Sequence, residues 1–132
     1  MSKLKVLIAE DSKQIQLFYK RGLSENEFEI KMANDGMEAI AIYEEWKPDV
    51  ILLDYMMPNL NGYQFLKDLR ENKKDTWTTV IVVTGVTEKN DIVAFAKLGI
   101  QGYIVKPFLV EDLALTVKKH HKANSARIAS AK

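Results

Sequence analysis

Asp54 ends the most apolar stretch of the chain, DVILLDYMMP (49–58), where Val50, Ile51, Leu52 and Leu53 read as a strand buried on both faces. A carboxylate in apolar surroundings must be compensated or must give up its charge. Three further apolar runs end in groups able to do chemistry. Lys5–Ala9 runs into Glu10-Asp11, Val80–Val83 into Thr84-Gly85, and Gly102–Val105 into Lys106-Pro107-Phe108. Brought together, these ends supply three acids, one hydroxyl and one ammonium. Each close pair of like charges costs about 4 kcal/mol at an effective dielectric near 20. Lys106 offsets one charge, and a divalent cation offsets two more. Carboxylate oxygens with no His or Cys beside them select an ion such as Mg²⁺, which keeps open positions for a phosphoryl group. A carboxylate in that setting can attack phosphorus and become an acyl phosphate. Lys106 and the cation would stabilise charge on the transferred oxygens. Thr84 Oγ would donate to one of them, and Gly85 leaves room for the donor. Asp54 then ends a buried strand because the strand holds a nucleophile in place.

The elements that must position these groups are legible as alternation. Lys5–Ala9, Phe28–Ala33, Val50–Leu53, Val80–Val83 and Gly102–Val105 read as strands. Between them, apolar residues recur every three or four positions: Ile15, Phe18, Tyr19 and Leu23; Met37, Ile40 and Ala41; Phe65, Leu66 and Leu69; Ile92, Phe95 and Ala96; Leu113, Ala114 and Val117. Strands alternating with amphipathic helices imply βαβ units and a parallel sheet with helices on both faces. Ligands of such sheets bind beyond the carboxyl ends of the strands. A strand order of 2-1-3-4-5 makes the first, third, fourth and fifth ends neighbours. Asp35 with Glu38 resembles a capping box, Asn59–Gly62 breaks the chain before the third helix, and Thr87 is placed to cap the fourth.

The 132 residues suffice for one domain with one core. Residues 1–122 are expected to form it, with 123–132, small and polar, as a flexible tail. A net charge of +1 gives no bulk attraction to nucleic acid or anionic lipid. The absence of cysteine excludes disulfides and thiol chemistry and fits a reducing compartment. Apolar runs such as Val80–Val83 are too short to span a bilayer, and MSKLKVLIAED lacks the pattern of a secretion signal. A cytoplasmic protein without direct nucleic-acid or membrane contact is expected. His120 and His121, adjacent on a helix, point apart and are read as partners of a helix C-terminal dipole rather than a metal pair. Trp46 reads as a helix end and Trp77 as a loop plug.

The set Glu10-Asp11, Asp54, Thr84 and Lys106-Pro107, with LLDYMMPNLNGYQFLKDLR (52–70), resembles the receiver domain of two-component response regulators over about residues 3–122. The resemblance implies a flavodoxin-like (βα)5 fold. It implies that Asp54 is the phosphoacceptor for a histidine kinase or a histidine phosphotransfer protein. Mg²⁺ would be held by Asp11, Asp54 and the backbone carbonyl of Met56, with Glu10 acting through a water. Thr84 and Tyr103 match the family's switch pair, Tyr103 turning inward as Thr84 moves toward the phosphoryl group. Lys106-Pro107 would be a cis peptide. Glu10 stands where most receivers have Asp. Met56 cannot position an attacking water by hydrogen bonding, so a long-lived phosphoryl form with slow autodephosphorylation is expected.

The resemblance also implies a switching face on helix four, strand five and helix five, for which Val93, Lys97, Tyr103, Val105 and Lys118 are candidates. Gln14 and Leu17 with Pro107-Phe108 would meet the kinase or phosphotransferase. The reading is of a stand-alone regulator, monomeric or dimeric on phosphorylation, or of a receiver cut from a longer protein. Other functions fit less well. An Asp-nucleophile phosphatase needs an acid two residues beyond the nucleophile, where this chain has Met56. A flavodoxin-like cofactor binder needs a Ser/Thr/Gly phosphate loop where this chain has Glu10-Asp11. A receiver that never accepts phosphate would not need Asp54, Thr84 and Lys106 together.

Overall fold

The computed structural model describes residues 3–85 and 89–131. Five strands alternate with five helices: β1 (Leu4–Ala9), α1 (Lys13–Gly22), β2 (Phe28–Ala33), α2 (Gly36–Trp46), β3 (Val50–Leu53), α3 (Gly62–Lys67), β4 (Thr79–Thr84), α4 (Lys89–Leu98), β5 (Gly102–Val105) and α5 (Val110–Ala131). The strands form one parallel sheet in the order β2-β1-β3-β4-β5, as the sequence implies. A single π-helical segment, Asp68–Asn72, continues α3 and has no counterpart in the sequence reading.

Alternation along the strands sorts the core into two layers. Val6 and Ile8, Val50 and Leu52, and Ile81 and Val83 pack with Tyr19 of α1, Leu23 at its end, and Leu113 and Val117 of α5. Leu7 and Ala9, Ile51 and Leu53, and Val80 and Val82 pack with Ala39 and Tyr43 of α2, Phe65 and Leu66 of α3, and Phe95 of α4. β1 from Val6 onward, β3 and β4 are buried throughout, which is why their sequences are apolar without alternation. β5, an edge strand, is only half buried.

Local chemistry sets the helix starts. Ser12 caps α1 by accepting from the Ile15 amide, and Asp35 caps α2 through the Glu38 amide at 2.8 Å. The expected box at Asp35 and Glu38 closes differently, because the Glu38 carboxylate accepts from the Asn34 amide rather than the Asp35 amide. A complete box forms instead at α3, where Asn61 and Gln64 bond reciprocally at 2.9 Å. Thr87 lies outside the described residues.

Three expectations change with the structure. Where a tail over 123–132 was expected, α5 continues unbroken to Ala131. Its Asn124 is buried and donates to the Trp77 carbonyl and Thr79 Oγ1, while Arg127 donates to the Thr76 carbonyl. His120 and His121 therefore sit inside a helix rather than at its C-terminal dipole. His120 packs on the Gly102 backbone, where an added Cβ would meet the ring at 2.8 Å, and His121 Nδ1 lies 2.8 Å from Thr79 Oγ1. Trp77 is exposed and plugs nothing. Trp46 does end α2, with Lys5 and Lys31 ammonium groups over its ring.

Candidate functional site at the carboxyl ends of the strands

Register places the reactive groups. Ala9 pairs with Leu53, Leu53 with Val82, and Thr84 with Val105. The residues that follow are tied across the sheet in the same way. The Glu10 amide bonds the Ala33 carbonyl, the Asp54 amide the Ala9 carbonyl, and the Lys106 amide the Thr84 carbonyl, at 3.0–3.1 Å. Strand alternation then gives Glu10, Asp54 and Lys106 the parity of the α1/α5 layer. Thr84 and Tyr103 take the parity of the α4 layer.

The acids and the amine converge. Lys106 Nζ lies 2.6 Å from Glu10 Oε1 and 3.2 Å from Asp54 Oδ2. Carboxylate oxygens of Glu10, Asp11 and Asp54 lie within 4.8 Å of one another. Glu10 and Asp54 are buried and Asp11 is exposed, so the cluster opens to solvent on one side. Burial pushes the Glu10 carboxyl above its ordinary range, with the Asp54 charge adding and the Lys106 and Ser12 bonds opposing. Burial alone would lower the Lys106 ammonium, but the bond to Glu10 and the Asp54 charge outweigh it and hold it above its usual value.

The frame around the cluster is tied together by hydrogen bonds. Gln16, buried in α1, donates to the Glu10 carbonyl at 2.6 Å and to Asn34 Oδ1 at 2.9 Å, joining the loops after β1 and β2. Ser12 N donates to Glu10 Oε2 at 3.1 Å. At Gly62 an added Cβ would sit 2.2 Å from the Asp54 carbonyl oxygen, so α3 can start beside the acid only without a side chain there. Gly85 has open space where a Cβ would be. Neither Ser12 nor Gln16 was singled out from sequence. Ser12 carried a readable cap signal just after the acids, whereas a Gln turned inward on a helix leaves no such signal.

Thr84 is buried at the end of β4, and Tyr103 is half buried against the α4 layer, its hydroxyl raised by burial and by Asp91. Met56 is exposed, its amide 3.4 Å from Asp54 Oδ1. Lys106-Pro107 is cis. Val93, Val105 and Lys97 are exposed on α4 and β5, but Lys118 turns to Glu27 before β2, at 2.6 Å. Lys118 therefore stands apart from the proposed switching face. On the other side, Gln14 and Leu17 are exposed, and Phe108 stacks on buried Tyr19 at 5.1 Å.

The donors are oxygen atoms of three acids, with no softer ligand among them, and this set suits a hard divalent cation. Receiver domains generally bind Mg²⁺ at such an acidic pocket.

The chain is an α/β domain with an acid cluster and an amine at the carboxyl edge of a parallel five-stranded sheet, and the profile "Response regulator receiver domain" matches residues 6–118. The chain belongs to that family: it is a receiver domain of two-component signalling, of the flavodoxin-like (βα)5 class. It is similar to the probable transcriptional regulator ycf27 of Porphyridium aerugineum, at 32% identity over 89% of this chain and 48% of that protein. It is also similar to the response regulator MprA of Mycobacterium leprae (strain TN), at 30% identity over 87% of this chain and 50% of that protein. It thus spans about half the length of these curated relatives. Among solved structures it resembles the Francisella response regulator 1452 receiver domain, at TM-score 0.81 and 35% identity, covering 92% of this chain and 98% of that one. The chemotaxis protein CheY4 of Vibrio cholerae matches at TM-score 0.81 and 30% identity, covering 89% and 98%. Receiver domains are signalling switches rather than enzymes with a turned-over substrate, and they work with histidine kinases and downstream effectors. Among the described residues, no helix is long and apolar enough to cross a membrane.

Proposed function

We propose that this chain is a phosphorylation-dependent switch that accepts a phosphoryl group on Asp54 from a histidine kinase or a histidine phosphotransfer protein. The observation that carries the reading is the convergence of Glu10 and Asp54 within 3.2 Å of the Lys106 ammonium at the open end of the sheet. Asp54 Oδ would attack phosphorus while the bond to the donor's histidine nitrogen breaks. Lys106 would hold the transferred oxygens, and Thr84 Oγ would donate to one of them. Asp11, Asp54 and the Met56 carbonyl would hold Mg²⁺, with Glu10 acting through a water. When bound, the cation supplies charge stabilisation for the phosphoryl oxygens.

Conversion of Asp54 to an acyl phosphate adds negative charge and acceptor oxygens. Tyr55, the next residue, meets Phe95 of α4 edge-on at 5.5 Å, and Tyr63 meets the same ring at 5.9 Å. That aromatic group links the acceptor segment to α4, the element on which the Thr84 and Tyr103 switch would act. The α4, β5 and α5 face, with Val93, Lys97, Tyr103 and Val105, would then meet a downstream protein, and α1 with Pro107-Phe108 the phosphodonor. This domain itself would touch neither nucleic acid nor membrane and would act in the cytoplasm, as a monomer or a phosphorylation-dependent dimer. Relatives named as transcriptional regulators are about twice its length. The exposed Met56 supports slow loss of the phosphoryl group, and a half-life of seconds in the isolated protein would contradict that point.

The test is incubation with Mg²⁺ and a small acyl-phosphate donor, read by intact mass. The wild type should gain one phosphoryl group and Asp54→Asn none. Equal gain by both proteins would refute the assignment.

A further inference from the structure

We propose that the outer edge of β2 is a self-association surface, where a second copy of this chain pairs antiparallel about a two-fold axis through Ile30. The contact goes beyond the proposed function. β2 lies at the opposite edge of the sheet from β5, and pairing there needs no phosphoryl group. The dilute chain is a monomer, and the pair forms as concentration rises.

The backbone supplies the first half of the argument. β2 pairs with β1 and ends the sheet. The Leu4 amide bonds the Glu27 carbonyl and the Glu10 amide the Ala33 carbonyl. Odd-numbered residues of β2 therefore turn their backbone groups to β1, and even-numbered ones turn theirs outward. The Phe28 amide is taken by the Ser24 carbonyl. The amides of Ile30 and Met32 and the carbonyls of Phe28, Ile30 and Met32 then face away from the sheet, a template for a further strand. In an antiparallel pair centred on Ile30, that residue exchanges both backbone bonds with its counterpart. Each Met32 amide reaches the second copy's Phe28 carbonyl.

The side chains choose the register. Glu29 and Lys31 are exposed and share the α2 side of the strand, where Lys31 rests over the Trp46 ring at 5.1 Å. Among the described residues, neither has a salt bridge. An axis through Ile30 sets Glu29 of each copy opposite Lys31 of the other, at the closely spaced non-hydrogen-bonded positions. Axes through Glu29 or Lys31 set like charges opposite instead. Charges on an edge strand commonly keep other strands away. Here their order excludes the neighbouring registers and favours one. The other side of the strand agrees. Phe28, Ile30 and Met32 lie on the α1 side, beside a cavity of about 370 Å³ lined also by Lys20, Leu23 and Glu25. A two-fold axis normal to the sheet keeps equivalent faces together. The second copy thus brings its own Ile30 and Met32 to the same apolar side.

The test is sedimentation equilibrium of the unphosphorylated chain over rising concentration. Wild type and Asp54→Asn should both move from the mass of one chain toward that of two, so this inference and the phosphoacceptor reading fail separately. Glu29→Lys and Lys31→Glu each set like charges opposite, and each should weaken association by about tenfold or more. Mixed in equal amounts, the two variants regain both opposite-charge pairs and should associate with one another about as tightly as wild type does with itself. In wild type alone, amide exchange at Ile30 and Met32 should slow as concentration rises, a readout that needs no variant to fold. A wild type still monomeric at about 1 mM, where a contact of that weak affinity would hold half the chains, overturns the proposal and points the edge to an extended segment of a different protein. Single variants that associate like wild type, a mixture that stays monomeric, or exchange rates indifferent to concentration contradict it as well.

Discussion

Asp54 is a buried acid with two other carboxylates within 4.8 Å, and among the described residues only Lys106 is bonded to it as a counter-charge. If Asp54 is the acceptor, it serves that function at a cost in stability. Asp54→Asn removes one of three crowded charges and should stabilise the metal-free protein by about 1–2 kcal/mol in a urea melt while abolishing phosphorylation. A destabilised variant would mean that the acid is there for the fold. Gly62 carries the opposite prediction. A methyl group there must displace the Asp54 carbonyl, so Gly62→Ala should cost about 2–3 kcal/mol and impair labelling of Asp54 even in the folded fraction. At this scale the sequence was informative wherever a charge interrupted an apolar run. Glu10, Asp11, Asp54 and Lys106 stood out because burial of a charge demands a reason. The supporting contacts of Gln16 did not stand out, because nothing in its neighbours shows that it turns inward.

The elements follow the same logic. Strand ends and helix starts were legible from apolar runs, alternation and caps, and the strand bounds differ from expectation by a residue at most in β1, β4 and their neighbours. The π-helical segment was not legible, and its reason lies in distant partners. Arg70 within it is buried, and its guanidinium donates to the carbonyls of Gly99, Asp75 and Thr78 and to the Gln101 side chain. Asp75, also buried, accepts from Tyr43, Thr78 and the Trp77 amide. Burial would raise its carboxyl, but these bonds prevail and hold it below the ordinary value. The sign follows: a depressed folded-state pKa adds stability above the unfolded-state value, and this stability is lost as the pH falls through the folded-state value. Asp75→Asn should therefore cost about 3 kcal/mol at neutral pH, and the cost should shrink as the pH falls through the lowered folded-state value, measured by urea melts across pH. A cost independent of pH would show that packing, not charge, is what Asp75 contributes. α5 gives a second test at this scale. Asn124→Ala removes two hydrogen bonds, one of them buried, that dock residues 123–131, and should speed amide exchange over that segment with little change at Asp54.

For the whole molecule, sheet order and family were readable because four strand ends, those of β1, β3, β4 and β5, carry groups that suit one chemistry, and a 2-1-3-4-5 sheet makes them neighbours. The last turns of α5 were misread because their small polar residues look like a tail. Two side chains, Asn124 and Arg127, decide otherwise by reaching the loop before β4. The central claim is that the fold exists to make Asp54 the acceptor of a phosphoryl group. Reduction of the phosphorylated protein with borohydride converts an aspartyl phosphate to homoserine, and tandem mass spectrometry locates the change. Homoserine at position 54, dependent on Mg²⁺ and on the phosphodonor, is the predicted result. Homoserine at any other acid, or a phosphoryl group that resists borohydride, would contradict it.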